Sequence, residues 1–362
     1  MSALFTPLKI KDVTLRNRLG MAPMCQYSSV DGVAQPWHMT HIGARAVGGA
    51  GLIIAEATAV TPDGRITPAC AGLWNDAQVE ALIPINAYAK SQGAVIGVQI
   101  AHAGRKGSSA RPWDGGAHLK DDEGGWQTIS PTDEVFDQDG TRLSKAPHAM
   151  SVAEIKAMQD AFVASTKRAL AAGYELLELH GAHGYLLHSF FTPLVNTRTD
   201  QYGGDFEGRS RMMRETVEAV RKVWPERLPL AVRLSVTDWI DGGLTIDDNI
   251  QLMKVLRDLG VDMVDCSGGG ATPAARASIG TRTADQVGLA AQMRKETGLI
   301  TAAVGCIDTA AKAEGVIASG QADIALMARQ FLRDPFAAMH FAQELGADAK
   351  SQVSIPVGHF VA

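Results

Sequence analysis

The chain has 362 residues, of which 46% are hydrophobic and 20% are charged, and this composition supplies a large core. A net charge of -5 without any long run of Lys and Arg argues against nucleic acid as a partner. No stretch approaches the roughly 18 apolar residues of a membrane span, and no apolar leader opens the chain, so we expect a cytoplasmic protein with no membrane partner.

Short apolar runs alternate with longer amphipathic runs along the whole chain, which is typical of βα units around a parallel sheet. The predicted strands are residues 19–22, 51–57, 95–101, 175–180, 230–235, 262–267, 300–305 and 323–327. The predicted helices are residues 37–47, 77–92, 151–172, 208–223, 246–259, 283–297, 309–319 and 335–345. Eight such units predict an α/β fold, a (β/α)8 TIM barrel, with one domain over residues 1–362.

The longest irregular segment, residues 104–149, follows the third predicted strand and is rich in Gly, Asp, Pro and Trp. On a barrel it would lie over the mouth as a lid or a β-excursion. No GxGxxG motif follows the first strand, which argues against a dinucleotide-binding fold.

Side-chain alternation along the strands predicts a polar group of residues inside the barrel. Gln99, His180 and Arg233 each fall on the inward face near the end of their strand, where barrel enzymes place their chemistry. A buried Arg233 needs an anionic partner. One alternative is that it pairs with Glu56 or Glu178 for stability alone.

The loops after the last two predicted strands favour a phosphate site, which is common at this place in TIM barrels. They offer Gly305 for close backbone approach and Arg329 as a charged partner, while residues 267–270 add further backbone amides. One hypothesis is therefore a barrel that only binds a phosphorylated ligand.

The segment "ELHGAHGYLLHSFF" places His180 and His183 three residues apart, a spacing that also suits metal ligands. An alternative function is thus a metal-dependent barrel lyase or hydrolase that uses both histidines. No acidic residue completes a ligand set nearby, and "HMTH" at His38 and His41 repeats the spacing, so we expect no metal. We interpret His188 as a structural residue at the start of a helix.

Five motifs in order, "PMCQY", "QIAHAGRK", "ELHGAHGYLLHSFF", "NTRTDQYGG" and "FLRDP", give the chain a clear resemblance to a known family. It resembles the Old Yellow Enzyme family of FMN-dependent ene-reductases, and most closely its bacterial xenobiotic reductase subgroup. The resemblance covers nearly the whole chain and implies bound FMN, with NADPH or NADH as the hydride donor.

The resemblance also implies roles for single residues around the flavin. Arg233 would lie near the N1/O2 edge of the ring, where it stabilises negative charge, and Cys25 would tune the redox potential. The alternative for Cys25 is a small buried apolar residue. The full set of implied FMN-binding residues is Ala22, Pro23, Met24, Cys25, Ala57, Gln99, Arg233, Gly305, Ala328 and Arg329.

The implied reaction is hydride transfer from NAD(P)H to flavin N5 and then to the β-carbon of a conjugated alkene. Implied substrates are small enones, enals, maleimides and nitro compounds. His180 and His183 would donate hydrogen bonds to the substrate oxygen, Tyr185 would protonate the α-carbon, and Tyr27 would line the pocket. The alternative for Tyr27 is an aromatic residue at the barrel rim.

The resemblance further implies a homodimer or homotetramer. Members of the subgroup carry an arginine or a tryptophan in the C-terminal tail, close to a neighbouring subunit's site. This chain ends "SIPVGHFVA" and has neither residue. We expect His359 or Phe360 to lie where those groups do.

Overall fold

The computed structural model describes residues 2–137 and 142–360 and contains a closed barrel of parallel strands. The strands within these residues are β1 (Leu8–Ile10), β2 (Val13–Leu15), β3 (Leu19–Met21), β4 (Leu52–Ala59), β5 (Val95–Ala101), β6 (Ile129–Ser130), β7 (His148–Ala149), β8 (Leu176–Gly181), β9 (Leu230–Ser235), β10 (Met263–Ser267), β11 (Ile300–Val304) and β12 (Ile324–Met327). Eight of them close the barrel in the order β3-β4-β5-β8-β9-β10-β11-β12. The predicted TIM barrel is confirmed.

Helices surround the barrel. They are α1 (Pro36–Val47), α2 (Asp76–Ser91), α3 (Val152–Ala171), α4 (Leu186–Phe191), α5 (Phe206–Arg221), α6 (Ile246–Asp258), α7 (Pro273–Arg282), α8 (Gln286–Thr297), α9 (Ala310–Ala318), α10 (Arg329–Arg333), α11 (Ala337–Glu344), α12 (Ala349–Gln352) and α13 (Ile355–Gly358). Among the described residues, none of these helices is long and apolar enough to cross a membrane.

Each predicted strand and helix has an observed counterpart, with ends that differ by at most three residues. Helix α3 shows why the boundaries could be read: Ser151 and Glu154 form a capping box, and the chain leaves the helix at Gly173 with φ 83°. The shorter elements were missed, among them the antiparallel β1–β2 hairpin and helices α4, α7 and α10. The strands of the hairpin, α4 and α10 have only three to six residues each, which is too few for hydrophobic periodicity. Helix α7 has ten residues, and the sequence signals for it were the N-cap Thr272 and Pro273 at its first position.

The predicted excursion between β5 and α3 is present. It contains short 3-10 helices and the two-stranded β6–β7 sheet, and it is anchored to the barrel by Arg105, which donates a 2.9 Å hydrogen bond to the Ala271 carbonyl. Residues 138–141 of the predicted segment lie outside the described residues. The excursion therefore supplies a wall above the barrel mouth.

Candidate active site

A polar layer crosses the inside of the barrel, as the strand register predicted. Gln99 and Glu178 are paired across β5 and β8, and the Gln99 side chain donates a 2.8 Å hydrogen bond to Glu178 Oε1. One strand further round, His180 is paired with Arg233, and the Arg233 Nε atom lies 3.2 Å from Asp265 Oδ2. All five residues are buried, so they share one desolvated space.

This layer holds one arginine and two carboxyl groups. Burial, and then the charge of Asp265, raise the pKa of Glu178 to about 8, while Arg233 acts in the opposite direction. The partner of Arg233 differs from both alternatives offered by the sequence: Asp265 is its closest acid, and Glu56 instead lies 3.2 Å from His38. Asp265 falls on the inward face of β10, beside Arg233 in register.

His180 and His183 lie together at the end of β8, with ring centroids 5.1 Å apart and an interplanar angle of 87°. The His180 Nδ1 atom accepts a 3.2 Å hydrogen bond from the Ala182 amide, which assigns the ring proton to Nε2. The His183 Nε2 atom lies 2.7 Å from Ser267 Oγ. With the serine hydroxyl as donor, His183 also keeps one N–H free to donate.

Both imidazoles are held neutral. Burial, followed by repulsion from Arg233, lowers the pKa values of His180 and His183 well below the ordinary range. A neutral ring offers one N–H donor, and the hydrogen bonds already described use the opposite nitrogen. The pair is therefore suited to donate hydrogen bonds to an oxygen atom without carrying charge.

The turn that carries His183 has an uncommon backbone conformation. His183 has φ 60° and Gly184 has φ 75°, both in the left-handed region. Gly270 lies directly against this turn, since an added Cβ there would meet the His183 Cα at 2.8 Å. Lys106 donates a 2.6 Å hydrogen bond to the His183 carbonyl and a 3.2 Å bond to that of Gly270. The turn is thus fixed by close packing and by one buried ammonium group.

Tyr185 lies beside the histidine pair at the N-terminus of α4. Its ring is 4.8 Å from that of His180 at an interplanar angle of 85°, and the Lys106 ammonium lies 5.2 Å from its ring centroid. Burial raises the pKa of Tyr185, so the hydroxyl keeps its proton at neutral pH. It can supply that proton to a group formed in the cavity.

A cavity of about 300 Å³ opens above these residues. Its wall includes His183 and Tyr185 from the barrel end, Tyr27 from the loop after β3, and Lys106 with residues of the excursion. Tyr27 has φ 50°, and its ring meets the Trp113 ring edge-on at 5.7 Å. The structure therefore brings Tyr27, His183 and Tyr185 to one space, with His180 packed behind them.

The predicted flavin-lining strip continues from the end of β3. The Ala22 amide donates a 3.0 Å hydrogen bond to the Met327 carbonyl, and Pro23 and Met24 follow it, partly buried. Cys25 contacts the Tyr27 hydroxyl and the backbone of Ala57, and burial raises the pKa of its thiol well above the usual value. Ala57 also lines a small gap next to Tyr185.

A second cavity, of about 230 Å³, lies at the ends of β11 and β12. Gly305, Ala328 and Arg329 line it together, so the loops proposed for phosphate meet at one place. Gly305 has φ 129°, and an added Cβ would lie 2.2 Å from the Thr283 carbonyl oxygen, so only glycine fits there.

These residues fit a flavin mononucleotide. The Arg233 Nε atom lies against Asp265, which leaves the terminal N–H groups of the guanidinium to offer to an electron-rich ring edge. The small side chain of Ala57 leaves room beside the barrel mouth, and the cavity at Gly305 and Arg329 suits an anionic group.

Some residues of the site were not predicted from the sequence. Asp265 could have been found by extending the alternation of inward residues to β10, whereas Lys106 is brought to His183 only by the fold. Ser267 and Gly270, predicted to add amides to the phosphate site, lie instead against His183. His188 is buried in α4 and accepts a 2.8 Å hydrogen bond from the Gly184 amide, which agrees with a structural role.

In the C-terminal tail, the Phe360 side chain is 85% exposed and its ring lies 4.9 Å from that of His359.

In the described part of the chain, no group of three His, Cys, Asp or Glu residues is arranged to hold a metal ion.

Comparison with known proteins decides the family. The model of the NADH:flavin oxidoreductase / NADH oxidase family matches residues 3–348. The chain belongs to this family, the family of the Old Yellow Enzymes. The predicted resemblance is confirmed, and this family member is an FMN-dependent NAD(P)H oxidoreductase. The alternative of a metal-dependent lyase or hydrolase is therefore set aside.

Its relatives include an NADPH dehydrogenase of Bacillus velezensis, 42% identical over 98% of this chain and 97% of the relative. Among solved structures, morphinone reductase in complex with tetrahydroNAD is 26% identical, with a TM-score of 0.77 over 95% of this chain and 91% of that one. A 2-naphthoyl-CoA reductase complex shares the fold at 24% identity and a TM-score of 0.84, and this chain spans 53% of that longer chain.

Proposed function

We propose that this oxidoreductase reduces the C=C bond of α,β-unsaturated carbonyl or nitro compounds, with small enones, enals and maleimides as substrates. FMN, held by the residues named below, would supply the hydride-transfer chemistry that connects NAD(P)H to the β-carbon of the alkene. The protein binds the substrate, polarises it and provides the proton.

The observation that carries the proposal is the neutral pair of His180 and His183 beside the 300 Å³ cavity. His180 has Nδ1 engaged by the Ala182 amide and an Nε2–H left to donate, and with Ser267 as donor to Nε2, His183 has an Nδ1–H left. Two such donors are the arrangement needed to stabilise negative charge on a substrate oxygen. A metal site would need their lone pairs instead.

Tyr185 is the proposed proton donor to the α-carbon. Its ring packs against His180 at 4.8 Å, and it lines the same cavity as His183, so its hydroxyl is within the space where a substrate would lie. Because its pKa is raised, it holds the proton until a strongly basic carbanion develops. Tyr27 closes the cavity on the side of the excursion.

The proposed FMN contacts fall into two groups, one in the barrel interior and one in the cavity at the ends of β11 and β12. Arg233 and Gln99 would bind the polar edge of the ring from the barrel interior, and Cys25 would lie beside the ring and tune its potential. Gly305 and Arg329 would hold the phosphate in the cavity at β11 and β12. The whole chain, residues 1–362, is proposed as one FMN-binding unit that assembles as a homodimer or homotetramer.

An anaerobic titration tests this function. The purified holoenzyme should show flavin absorbance that NADPH bleaches and that 2-cyclohexenone restores, with about one equivalent of enone per flavin. If the enone, maleimide and nitroalkene probes all leave the bleached spectrum unchanged while oxygen restores it, the proposed reaction is wrong and the protein is an NAD(P)H oxidoreductase of another kind.

A further inference from the structure

The wall of the 300 Å³ cavity is strongly cationic. Lys106, Arg142 and Arg276 line it, and among its described lining residues there is neither an aspartate nor a glutamate. The whole chain has a net charge of -5, so this concentration of positive charge is local. Clefts lined by one sign of charge attract ligands of the opposite sign.

Of these cations, Arg276 is the one most available to a ligand. It lies on α7, its side chain is exposed, and its guanidinium has no hydrogen-bond or ion-pair partner in the portion of the chain that the structure describes. Two other arginines of this region are engaged, and Arg111 pairs with Asp114 at 2.7 Å. Arg282, also on α7, stacks over the Trp239 ring at 5.5 Å.

Burial and the positive charge of the cavity wall lower the pKa of Lys106, which is itself one of the lining residues. Its ammonium is bonded to the carbonyls of His183 and Gly270 and to no carboxylate within the described residues. Burial, then repulsion by Arg276 and Arg105, lowers its pKa to about 7. An anion bound near Arg276 would relieve this repulsion, because it places negative charge where the described lining has none.

We propose that Arg276, supported by Arg142, binds an anionic group of the ligand, a carboxylate or a phosphate, while the reacting part of the ligand lies against His183 and Tyr185. The inference rests on the proposed function and narrows its substrate class. Two ligands could carry the anion: the hydride donor, through its phosphates, or an alkene substrate that bears a carboxylate. The cavity that holds His183 and Tyr185 also holds Arg276, so one bound molecule can contact both ends.

Two pairs of probes separate these sources by calorimetric titration of the oxidised holoenzyme. Nicotinamide mononucleotide against nicotinamide riboside tests the phosphate of the hydride donor, and 4-hydroxybenzoate against 4-hydroxybenzamide tests a carboxylate on the substrate. Arg276→Gln should weaken the phosphate- or carboxylate-bearing member of at least one pair about tenfold, equivalent to about 1.4 kcal/mol, and its partner much less. The pair of probes whose binding weakens shows whether the anion belongs to the hydride donor or to the alkene substrate.

Arg282→Gln is the matched control, since it removes one positive charge from the same helix but does not line the cavity. It should leave both pairs as in the wild-type enzyme. The inference is overturned if Arg276→Gln changes neither pair, if it weakens both members of each pair equally, or if Arg282→Gln has the same effect. The titration needs no turnover, so it stays informative even if no alkene reoxidises the flavin.

Discussion

Gln99 donates a 2.8 Å hydrogen bond to Glu178 in the buried middle of the barrel. This contact links Gln99, which is proposed to touch the flavin, to a carboxyl group with a raised pKa. Burial and the neighbouring Asp265 raise the pKa of Glu178 to about 8. Burial also raises the pKa of Asp265 while Arg233 opposes both shifts, so the Glu178–Asp265 pair retains a proton near neutral pH.

Glu178→Gln should flatten the pH dependence of stability. In the wild-type protein the folded pKa of about 8 exceeds the ordinary value of 4.5, so the native state binds more protons between these values. The free energy of unfolding therefore falls as pH rises through this window. The substituted amide would keep an acceptor for Gln99 but would not titrate. Denaturant unfolding from pH 5 to 8 at saturating FMN measures this, and parallel wild-type and variant curves would contradict it.

Gly270→Ala should weaken ligand binding at the His183 turn. Gly270 has φ 96°, and the new Cβ would lie 2.8 Å from the His183 Cα, so the turn must shift at a cost of about 1 to 3 kcal/mol. Melting temperature and phenol affinity should both fall. Gly288→Ala is the control, because nothing lies within 4 Å of its Cβ position on α8. Equal behaviour of the two variants would show that the turn tolerates movement.

His180→Ala should lower the affinity for phenols, read from their charge-transfer absorbance with oxidised flavin, by about tenfold or more. The His180 pKa lies well below its usual range, so the ring stays neutral and phenol affinity should show no titration of this histidine between pH 6 and 8. His148→Ala removes an exposed histidine that pairs with Glu154 and should change nothing. Unchanged affinity in His180→Ala would remove its assigned role.

Cys25→Ser should shift the flavin reduction potential, since the thiol contacts Tyr27 and the Ala57 backbone in a buried space and the smaller, more polar hydroxyl changes that environment. The potential can be measured by equilibration with a reference dye, with Cys25→Ala as a second variant. Identical potentials in all three proteins would return Cys25 to the role of a small apolar residue.

The barrel could be predicted because its strands are apolar runs of the right length and its helices carry clear caps, as Ser151 and Gly173 show. The inward register of Gln99 and Arg233 followed from the same alternation. Family resemblance, and not spacing, supplied the flavin and the role of Tyr185.

The rest of the site depends on contacts between distant parts of the chain. Lys106 reaches the His183 carbonyl across 77 positions, and His183 reaches Ser267 across 84. The left-handed turn at His183 packs directly against Gly270, and that close approach has no signature in the local sequence. The charge of the cavity wall likewise combines the excursion with α7.

Rapid mixing of Tyr185→Phe in two separate half-reactions tests the central claim most directly. Flavin reduction by NADPH should proceed within about threefold of the wild-type rate, whereas reoxidation by 2-cyclohexenone should slow by about 100-fold or more, as expected when a general acid is lost. Equal slowing of both half-reactions, or unchanged reoxidation, would contradict the proposal that this cavity reduces alkenes with Tyr185 as the proton donor.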